Sequence, residues 1–98
     1  MLKIIRNMAE LDFRGLMEVY EEGNMENGED NYPYEPKSQQ LLLTEQDFHQ
    51  YLRECFFLTQ DAFYAVWISE GRYVSALRME PYRDGLLLEA LETAPAAG

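Results

Sequence analysis

The residues best suited to nucleophilic chemistry in this sequence are its one cysteine and one histidine, Cys55 and His49. A cysteine nucleophile needs a neighbouring base, and histidine is a usual partner. Cys55, however, belongs to an apolar stripe with helical spacing, and His49 lies off that stripe. The stripe consists of Phe48, Tyr51, Leu52, Cys55 and Phe56. We therefore expect Cys55 to be a small buried apolar residue and not a catalytic thiol.

Acidic side chains form a second group of candidates. Between Ala9 and Asp30 the chain has eight acids and one base, Arg14. We expect most of this charge to lie on the solvated face of a helix and on the loop after it. A cation-binding patch is the alternative, but the spacing of Glu26, Glu29 and Asp30 does not match a calcium-binding loop with its fixed glycine.

Two tyrosines and a glutamate stand in the longest predicted irregular stretch, Gly23 to Ser38. This stretch contains Asn-Gly, Tyr-Pro and Glu-Pro breaks. Long loops that carry aromatic residues often serve binding, which makes Tyr32, Tyr34 and Glu35 candidates. The alternative is that both tyrosines pack the loop onto the domain, and the sequence leaves both possibilities open.

Composition limits the class of protein and its partners. The 98 residues, 47% of them hydrophobic, predict one folded domain spanning 1–98. The net charge of −10 would repel nucleic acid and an anionic membrane surface. One cysteine and the lack of a leader or membrane-spanning run predict a cytoplasmic protein. Phosphate-loop and metal-binding motifs are absent from the sequence, so we expect no metal site.

The last third of the chain predicts three strands in succession, because β-branched and aromatic residues alternate with glycine-containing turns. The predicted strands are Phe63–Ile68, Arg72–Met79 and Leu86–Thr93. The first of them is apolar on both of its alternating faces, which is typical of a strand covered on both sides. We therefore expect this meander to form the core and the preceding elements to cover it.

The first two thirds predict one strand and two helices. Leu2–Arg6 is the strand, and Asn7 then opens a helix that ends near Gly23. Its apolar stripe consists of Phe13, Leu16, Met17 and Tyr20. Thr44 is expected to cap the second helix, which carries the stripe that includes Cys55. The predicted fold is α+β, in the order β-α-α-β-β-β, with a mostly antiparallel sheet.

This order, with Tyr73–Arg78 followed by Leu86–Pro95, resembles the N-terminal half of a GNAT-superfamily N-acetyltransferase. The segment Leu91–Pro95 is similar to the family's fourth strand where it runs into the cofactor motif. In the family an Arg or Gln three residues after the proline opens a loop that holds the pyrophosphate of coenzyme A. Here that position is Gly98, the last residue, so about half of the family's fold is covered.

The resemblance implies a role for several residues of the last strand. The backbone of Leu91, Glu92 and Thr93 corresponds to the groups that bind the pantetheine arm of acetyl-CoA. The family commonly has an acidic proton acceptor near this strand, and the candidates are Glu89 and Glu92. A separation of three residues predicts that they face opposite sides of the sheet, and Glu89 is preferred as the catalytic residue. A solvent-facing glutamate without a catalytic role is the competing interpretation, and the stronger one on sequence alone.

The resemblance also implies where an acceptor amine, on a small molecule or a peptide, would bind. The loop around the first two helices borders that site in the family, which assigns it to Tyr32, Tyr34 and Glu35. Arg78 could hold a carboxylate of the acceptor, or it could pair with Glu89 or Glu80 across the sheet. The acceptor itself is not specified by the sequence.

Two functions follow from the resemblance. The chain is either the acceptor side of an acetyl-CoA-dependent N-acetyltransferase, or a non-catalytic binding or assembly domain with the same half-fold. Because the sequence stops before the pyrophosphate loop, we expect the isolated chain to be inactive and to bind acetyl-CoA no more tightly than the millimolar range.

The last strand also predicts a homodimer. It would form an edge of the sheet, and its segment 86–93 carries several leucines without a lysine or proline. Exposed apolar edges favour pairing with another chain, so we expect two copies to meet at the 86–93 edge about a two-fold axis.

Overall fold

The structure is a computed structural model and describes residues 1–95. It is an α+β fold with an antiparallel sheet, as the sequence predicts, but three helices and not two precede the last three of its four strands. The strands are β1 (Leu2–Ile5), β2 (Phe63–Ser69), β3 (Arg72–Tyr82) and β4 (Gly85–Thr93), and the helices are α1 (Phe13–Val19), α2 (Glu21–Asn31) and α3 (Lys37–Tyr51). A 3-10 turn lies at Met8–Glu10, and a π-helical turn at Leu52–Phe56 extends α3. Within the described residues, no helix is long and apolar enough to cross a membrane.

The sheet has the strand order β1-β2-β3-β4, so consecutive strands β2, β3 and β4 form the predicted meander. Its two turns use residues with positive φ, which bend the backbone tightly. Glu70 and Gly71 lie at the first turn and Arg83 at the second. As predicted, β4 lies at an edge of the sheet formed by the described residues.

One face of the sheet, here the helix face, carries the core. The register places Ile5, Tyr64, Val66 and Ala76 on this face, and all four are buried. Leu16, Met17 and Tyr20 of the first apolar stripe join them in the core. Leu52 and Phe56 of the second stripe are also buried, and Phe48 is half-buried against them. The predicted helix faces are therefore confirmed at these positions.

The opposite face, here the open sheet face, is apolar and largely exposed. It includes Leu2, Ile4, Trp67, Met79, Leu86 and Leu88. Trp67 is 51% exposed and Leu88 59% exposed. The prediction that β2 is covered on both sides is therefore wrong for residues 1–95, because every described helix that contributes to the core lies on the other face.

The first helix begins and ends elsewhere than predicted. Asn7 caps only the 3-10 turn, by accepting a hydrogen bond from the Glu10 amide, and α1 starts after Asp12, whose carboxylate accepts from the Gly15 amide. Gly23 does not end a helix but lies inside α2. The irregular stretch predicted from Gly23 to Ser38 is correspondingly short, since only residues 32–36 are non-helical. The acids of α2 are exposed, consistent with the solvated face expected for them.

The second helix differs from the prediction at both ends. It begins at Lys37 after Pro36, and Thr44 is a buried mid-helix residue whose hydroxyl donates to the Gln40 carbonyl. The predicted burial of Cys55 is wrong, because Cys55 is exposed. The π-helical turn is the reason: its wider spacing, seen in the hydrogen bond from the Phe57 amide to the Leu52 carbonyl, shifts Cys55 off the buried stripe.

Helices α2 and α3 approach closely at one glycine. A Cβ atom added at Gly28 would lie 3.0 Å from the Gln40 backbone oxygen, whereas one added at Gly23 would meet nothing within 4 Å. The contact at Gly28 involves the backbone of α3, so an added methyl group would push the helices apart.

Paired alanine substitutions test this packing. Gly28→Ala should lower the free energy of unfolding by about 1–2 kcal/mol through overpacking. Gly23→Ala should raise it by about 0.5–1 kcal/mol, because alanine is the better helix former and the site is open. Urea denaturation measures both, and a shift of the two midpoints in the same direction would contradict the close approach.

Candidate functional site

The feature that shapes the candidate site is a bulge in β4. Arg78 lies opposite Glu89 and Ala76 lies opposite Glu92, so two steps along β3 match three steps along β4. The extra residue is accommodated at Ala90, whose φ of 53° is unusual for a residue with a side chain.

The bulge brings the two candidate carboxylates to one face. Because Arg78 and Ala76 lie on the helix face, their partners Glu89 and Glu92 both lie there too. The prediction that these glutamates point to opposite faces is therefore wrong, since it assumed strict alternation along β4.

Glu89 pairs with Arg78 across the sheet at 3.8 Å, which selects one of the two partners predicted for Arg78. The guanidinium of Arg78 also lies over the rings of Phe48 and Tyr51, at 5.7 and 5.2 Å from their centroids. These contacts hold a mostly buried cation between two aromatic rings and a carboxylate. The Nε atom of Arg78 is buried and has no hydrogen-bond partner among the described residues.

The surroundings of this pair are more acidic than basic. Glu80 lies two residues after Arg78, on the same face by register. Burial raises the pKa of Tyr51, and the nearby carboxylates of Glu80 and Glu89 raise it further, whereas Arg78 opposes them. We call Arg78, Glu89, Glu80, Phe48 and Tyr51 the Arg78 cluster. Its one positive and two negative groups favour a ligand with a positive charge.

Two buried tyrosine hydroxyls stand beside the bulge. Tyr64 donates to the Tyr20 hydroxyl at 3.2 Å, and Tyr20 donates to the Ala90 carbonyl at 2.5 Å. Burial raises the pKa of Tyr20 to about 12, with the Tyr64 hydrogen bond and Arg78 opposing the rise. Burial likewise raises the pKa of Tyr64 above its usual range. Both hydroxyls therefore stay protonated at neutral pH and act as hydrogen-bond donors.

The residues assigned to the cofactor lie at the end of β4. Leu91, Glu92 and Thr93 have exposed side chains, and the ladder with β3 closes with a hydrogen bond from the Ala94 amide to the Val74 carbonyl. Because β4 is an edge strand of the described sheet, its outward backbone groups have no strand partner within residues 1–95. Gly98, the position of the family's Arg or Gln, lies outside the described residues.

The loop residues assigned to the acceptor do not join the Arg78 cluster directly. The hydroxyl of Tyr32 donates to the Asp47 carboxylate on α3, which anchors this end of the loop. Tyr34 is 99% exposed, and Glu35 is exposed as well. Within residues 1–95, no hydrogen bond or ion pair links the three to Arg78 or Glu89. A hydrogen bond to α3 thus fixes Tyr32, whereas the side chain of Tyr34 is exposed.

The positions of Cys55 and His49 do not support a catalytic cysteine–histidine pair. Cys55 is exposed, and His49 packs edge-on against Phe13 at 4.8 Å and faces Arg53. The described residues also contain no group of three or more side chains placed to hold a metal ion.

A cavity of about 460 Å³ lies where the end of β4 approaches the turn between β2 and β3. Residues far apart in sequence form it, which is why no sequence pattern indicates it. Among its lining residues are Glu18, Glu21, Glu70, Arg72 and Pro95. Glu18 already pairs with Arg72 at 3.1 Å, so the remaining acids would repel a phosphate.

Comparison of the chain with protein-family models, with curated proteins and with solved structures gives no match. The candidate site therefore rests on its geometry.

Alkaline titration tests the buried hydroxyl of Tyr20. Its pKa is raised from 10.0 to about 12, so its contribution is fully present below pH 10 and is lost as the pH rises towards 12. A rise of this size in the pKa corresponds to about 2–3 kcal/mol in the free energy of unfolding. Tyr20→Phe should lower the free energy of unfolding by about 1–3 kcal/mol at neutral pH through the lost hydrogen bonds. Above pH 10 its stability should then fall less steeply than that of the unchanged protein.

Denaturation at several pH values, with phenolate absorbance recorded in parallel, provides the measurement. Tyr34→Phe, at a fully exposed position, is the matched control and should stay within about 0.5 kcal/mol of the unchanged protein at neutral pH. An equally steep alkaline loss of stability in Tyr20→Phe would contradict the buried position of this hydroxyl.

Proposed function

We propose that this chain forms the acceptor side of a GNAT-like N-acetyltransferase that uses acetyl-CoA, with Glu89 as the proton acceptor. The observation that carries the proposal is the placement of Glu89 beside Arg78, on the helix face of β4, next to a bulge in that strand. A partly exposed carboxylate that is held by a cation beside an interrupted strand edge provides a positioned proton acceptor for acyl transfer to an amine.

The architecture is consistent with the proposal. The order β1, helices, β2, β3, β4 in one antiparallel sheet is the order on which the proposed resemblance to the N-terminal half of the GNAT fold is based. The extra helix arises because the first predicted helix is divided at Tyr20 into α1 and α2. Fold likeness alone does not establish an activity, so the proposal depends on the site.

The chemistry assigned to Glu89 is proton removal. In acetyl transfer the nitrogen of the neutral amine forms a bond to the acetyl carbonyl carbon, the carbon–sulfur bond of the thioester breaks with its electron pair leaving on sulfur as the coenzyme A thiolate, and the nitrogen gives up one proton to Glu89. Glu89 is accessible enough to accept that proton, since its side chain is 34% exposed, and Arg78 holds the carboxylate in place from the opposite strand. Glu80 adds a second negative charge that attracts a protonated amine to the site.

The backbone of β4 is the part of this chain that would hold acetyl-CoA, which supplies the activated acetyl group. Because the Ala94 amide bonds to the Val74 carbonyl, alternation along the ladder directs the backbone groups of Glu92 towards β3 and those of Thr93 outward. The outward groups of this segment are free of a strand partner in the described sheet and can pair with an extended pantetheine arm. The bulge at Ala90 interrupts the edge immediately before them, and Tyr20 fixes the Ala90 carbonyl. The residues present thus fit the arm of the cofactor.

The acceptor is the less defined partner. Arg78 is already paired with Glu89, so an acceptor carboxylate would have to compete with this glutamate or use the remaining guanidinium donors. Tyr34 and Glu35 are available to contact an acceptor that extends towards the loop, whereas Tyr32 is tied to Asp47.

A second candidate function is a non-catalytic binding or assembly domain that retains the half-fold. The exposed apolar side chains of the open sheet face favour it, because such surfaces often serve association. The coding sequence downstream of Gly98 separates the two candidates. An R/Q-x-x-G-x-G continuation supports the enzyme, and a stop codon supports the binding domain.

Nuclear magnetic resonance tests the proposed use of β4 on the 98-residue chain itself. Acetyl-CoA, and pantetheine alone, should at millimolar concentration shift the amide resonances of Leu91, Glu92 and Thr93 and of their neighbours on β3. The nucleotide part of coenzyme A without its pantetheine arm is the matched control and should leave these resonances in place. Shifts confined to other elements, or none at all, would contradict the assignment of β4 to the cofactor.

A further inference from the structure

We propose that two copies of this chain associate by packing the open sheet face of one against the open sheet face of the other. This contact uses the face that favours the second candidate function, and it depends neither on Glu89 nor on the assignment of β4 to the cofactor. It also differs from the dimer predicted from the sequence, in which the 86–93 edges of β4 meet.

The first support is the extent of the exposed apolar surface. Four strands about 4.8 Å apart, with about seven residues each at about 3.3 Å, give a face of roughly 400 Å² in projection. Leu2, Trp67, Leu86 and Leu88 on this face are each more than half exposed. The largest apolar patch on a typical monomer is about 300–600 Å² and is often functional. Covering this face on two copies would bury about 800 Å² in projection, which is the size of a small and reversible interface.

The distribution of charge identifies the occupant. Although the net charge is −10, the strand residues of the open sheet face include no acid, because Glu80, Glu89 and Glu92 all lie on the helix face. Arg6 lies against this face, with its guanidinium over the Phe63 ring. A basic partner would be drawn to the acids of the helices, and nucleic acid or an anionic membrane would be repelled by the net charge. An identical apolar face matches this surface best.

The geometry permits such a pair. Two sheets can pack face to face about 10 Å apart, with their strands within about 30° of alignment. A two-fold axis through the face would bury the same residues on both copies. Trp67 lies on β2, an inner strand, where a large aromatic side chain is a typical anchor of an interface.

The edge of β4 is less suited than the open sheet face to contact a second copy of the chain. The bulge at Ala90 interrupts the regular spacing of its outward backbone groups, as bulges do at protected edges. An antiparallel pair of β4 strands centred on the bulge would also place Glu89 of one copy opposite Glu92 of the other. Like charges in that arrangement are destabilising.

Sedimentation velocity over a range of concentrations tests the association, and the fluorescence of Trp67, the single tryptophan, locates it. We expect a monomer–dimer equilibrium that shifts towards dimer as salt screens the net charge. The emission of Trp67 should move to shorter wavelength as the dimer forms, because its exposed side chain becomes covered. A monomer at high micromolar concentration would overturn the proposal. So would Trp67 emission already shifted in dilute monomer, which would mean that another part of the same polypeptide covers the face.

Substitutions distinguish the face from the edge. Trp67→Lys should weaken dimerisation about thirtyfold or more, as removal of a central anchor does. Leu2→Lys, on the strand farthest from β4, should weaken it as well and provides a second variant if Trp67→Lys fails to fold. Leu42→Lys, at a partly exposed position on α3, is the matched control and should leave the dimer unchanged. Full dimerisation of folded Leu2→Lys or Trp67→Lys would overturn the face contact in favour of the edge.

Discussion

The hydrogen bond from the Tyr20 hydroxyl to the Ala90 carbonyl is the interaction on which the described site depends. It joins the end of α1 to the bulge in β4 and holds Ala90 at a positive φ that costs a residue with a side chain about 1–2 kcal/mol. A buried hydrogen bond contributes about as much in the opposite direction. Without the bulge, Glu92 would lie on the open sheet face. That face would then carry an acidic side chain among its apolar residues.

The meander was predictable from sequence because its signals are local: glycine-containing turns bound segments of β-branched and aromatic residues. The bulge was not, since the extra residue at Ala90 is stabilised by Tyr20, seventy positions earlier in the chain. The exposure of Cys55 was missed for a related reason, because a π-helical turn leaves an apolar stripe intact in sequence but rotates it in space. Helix α2 was missed because packing of Gly28 against Gln40 outweighs the weak helix propensity of its glycines and asparagines.

The sequence allowed Arg78 to pair with either Glu89 or Glu80. The register of β3 and β4 places Glu89 opposite Arg78 and so selects it. The aromatic rings over Arg78 come from α3 and could not be assigned at all, since their approach depends on how α3 lies on the sheet. The result is a division of the molecule into two chemically different surfaces. Within residues 1–95, the acids of β3 and β4 and the mostly buried Arg78 lie on the helix face, where acyl transfer is proposed. Apolar side chains lie on the open sheet face, where association is proposed.

Cross-strand nuclear Overhauser contacts between β3 and β4 test the bulge most directly. The bulged register predicts that backbone protons of Ala76 contact those of Glu92, while Arg78 remains opposite Glu89. A regular ladder that keeps Arg78 opposite Glu89 would instead bring Ala76 opposite Leu91. Contacts from Ala76 to Glu92 would confirm that both glutamates share the helix face, and contacts from Ala76 to Leu91 would contradict it.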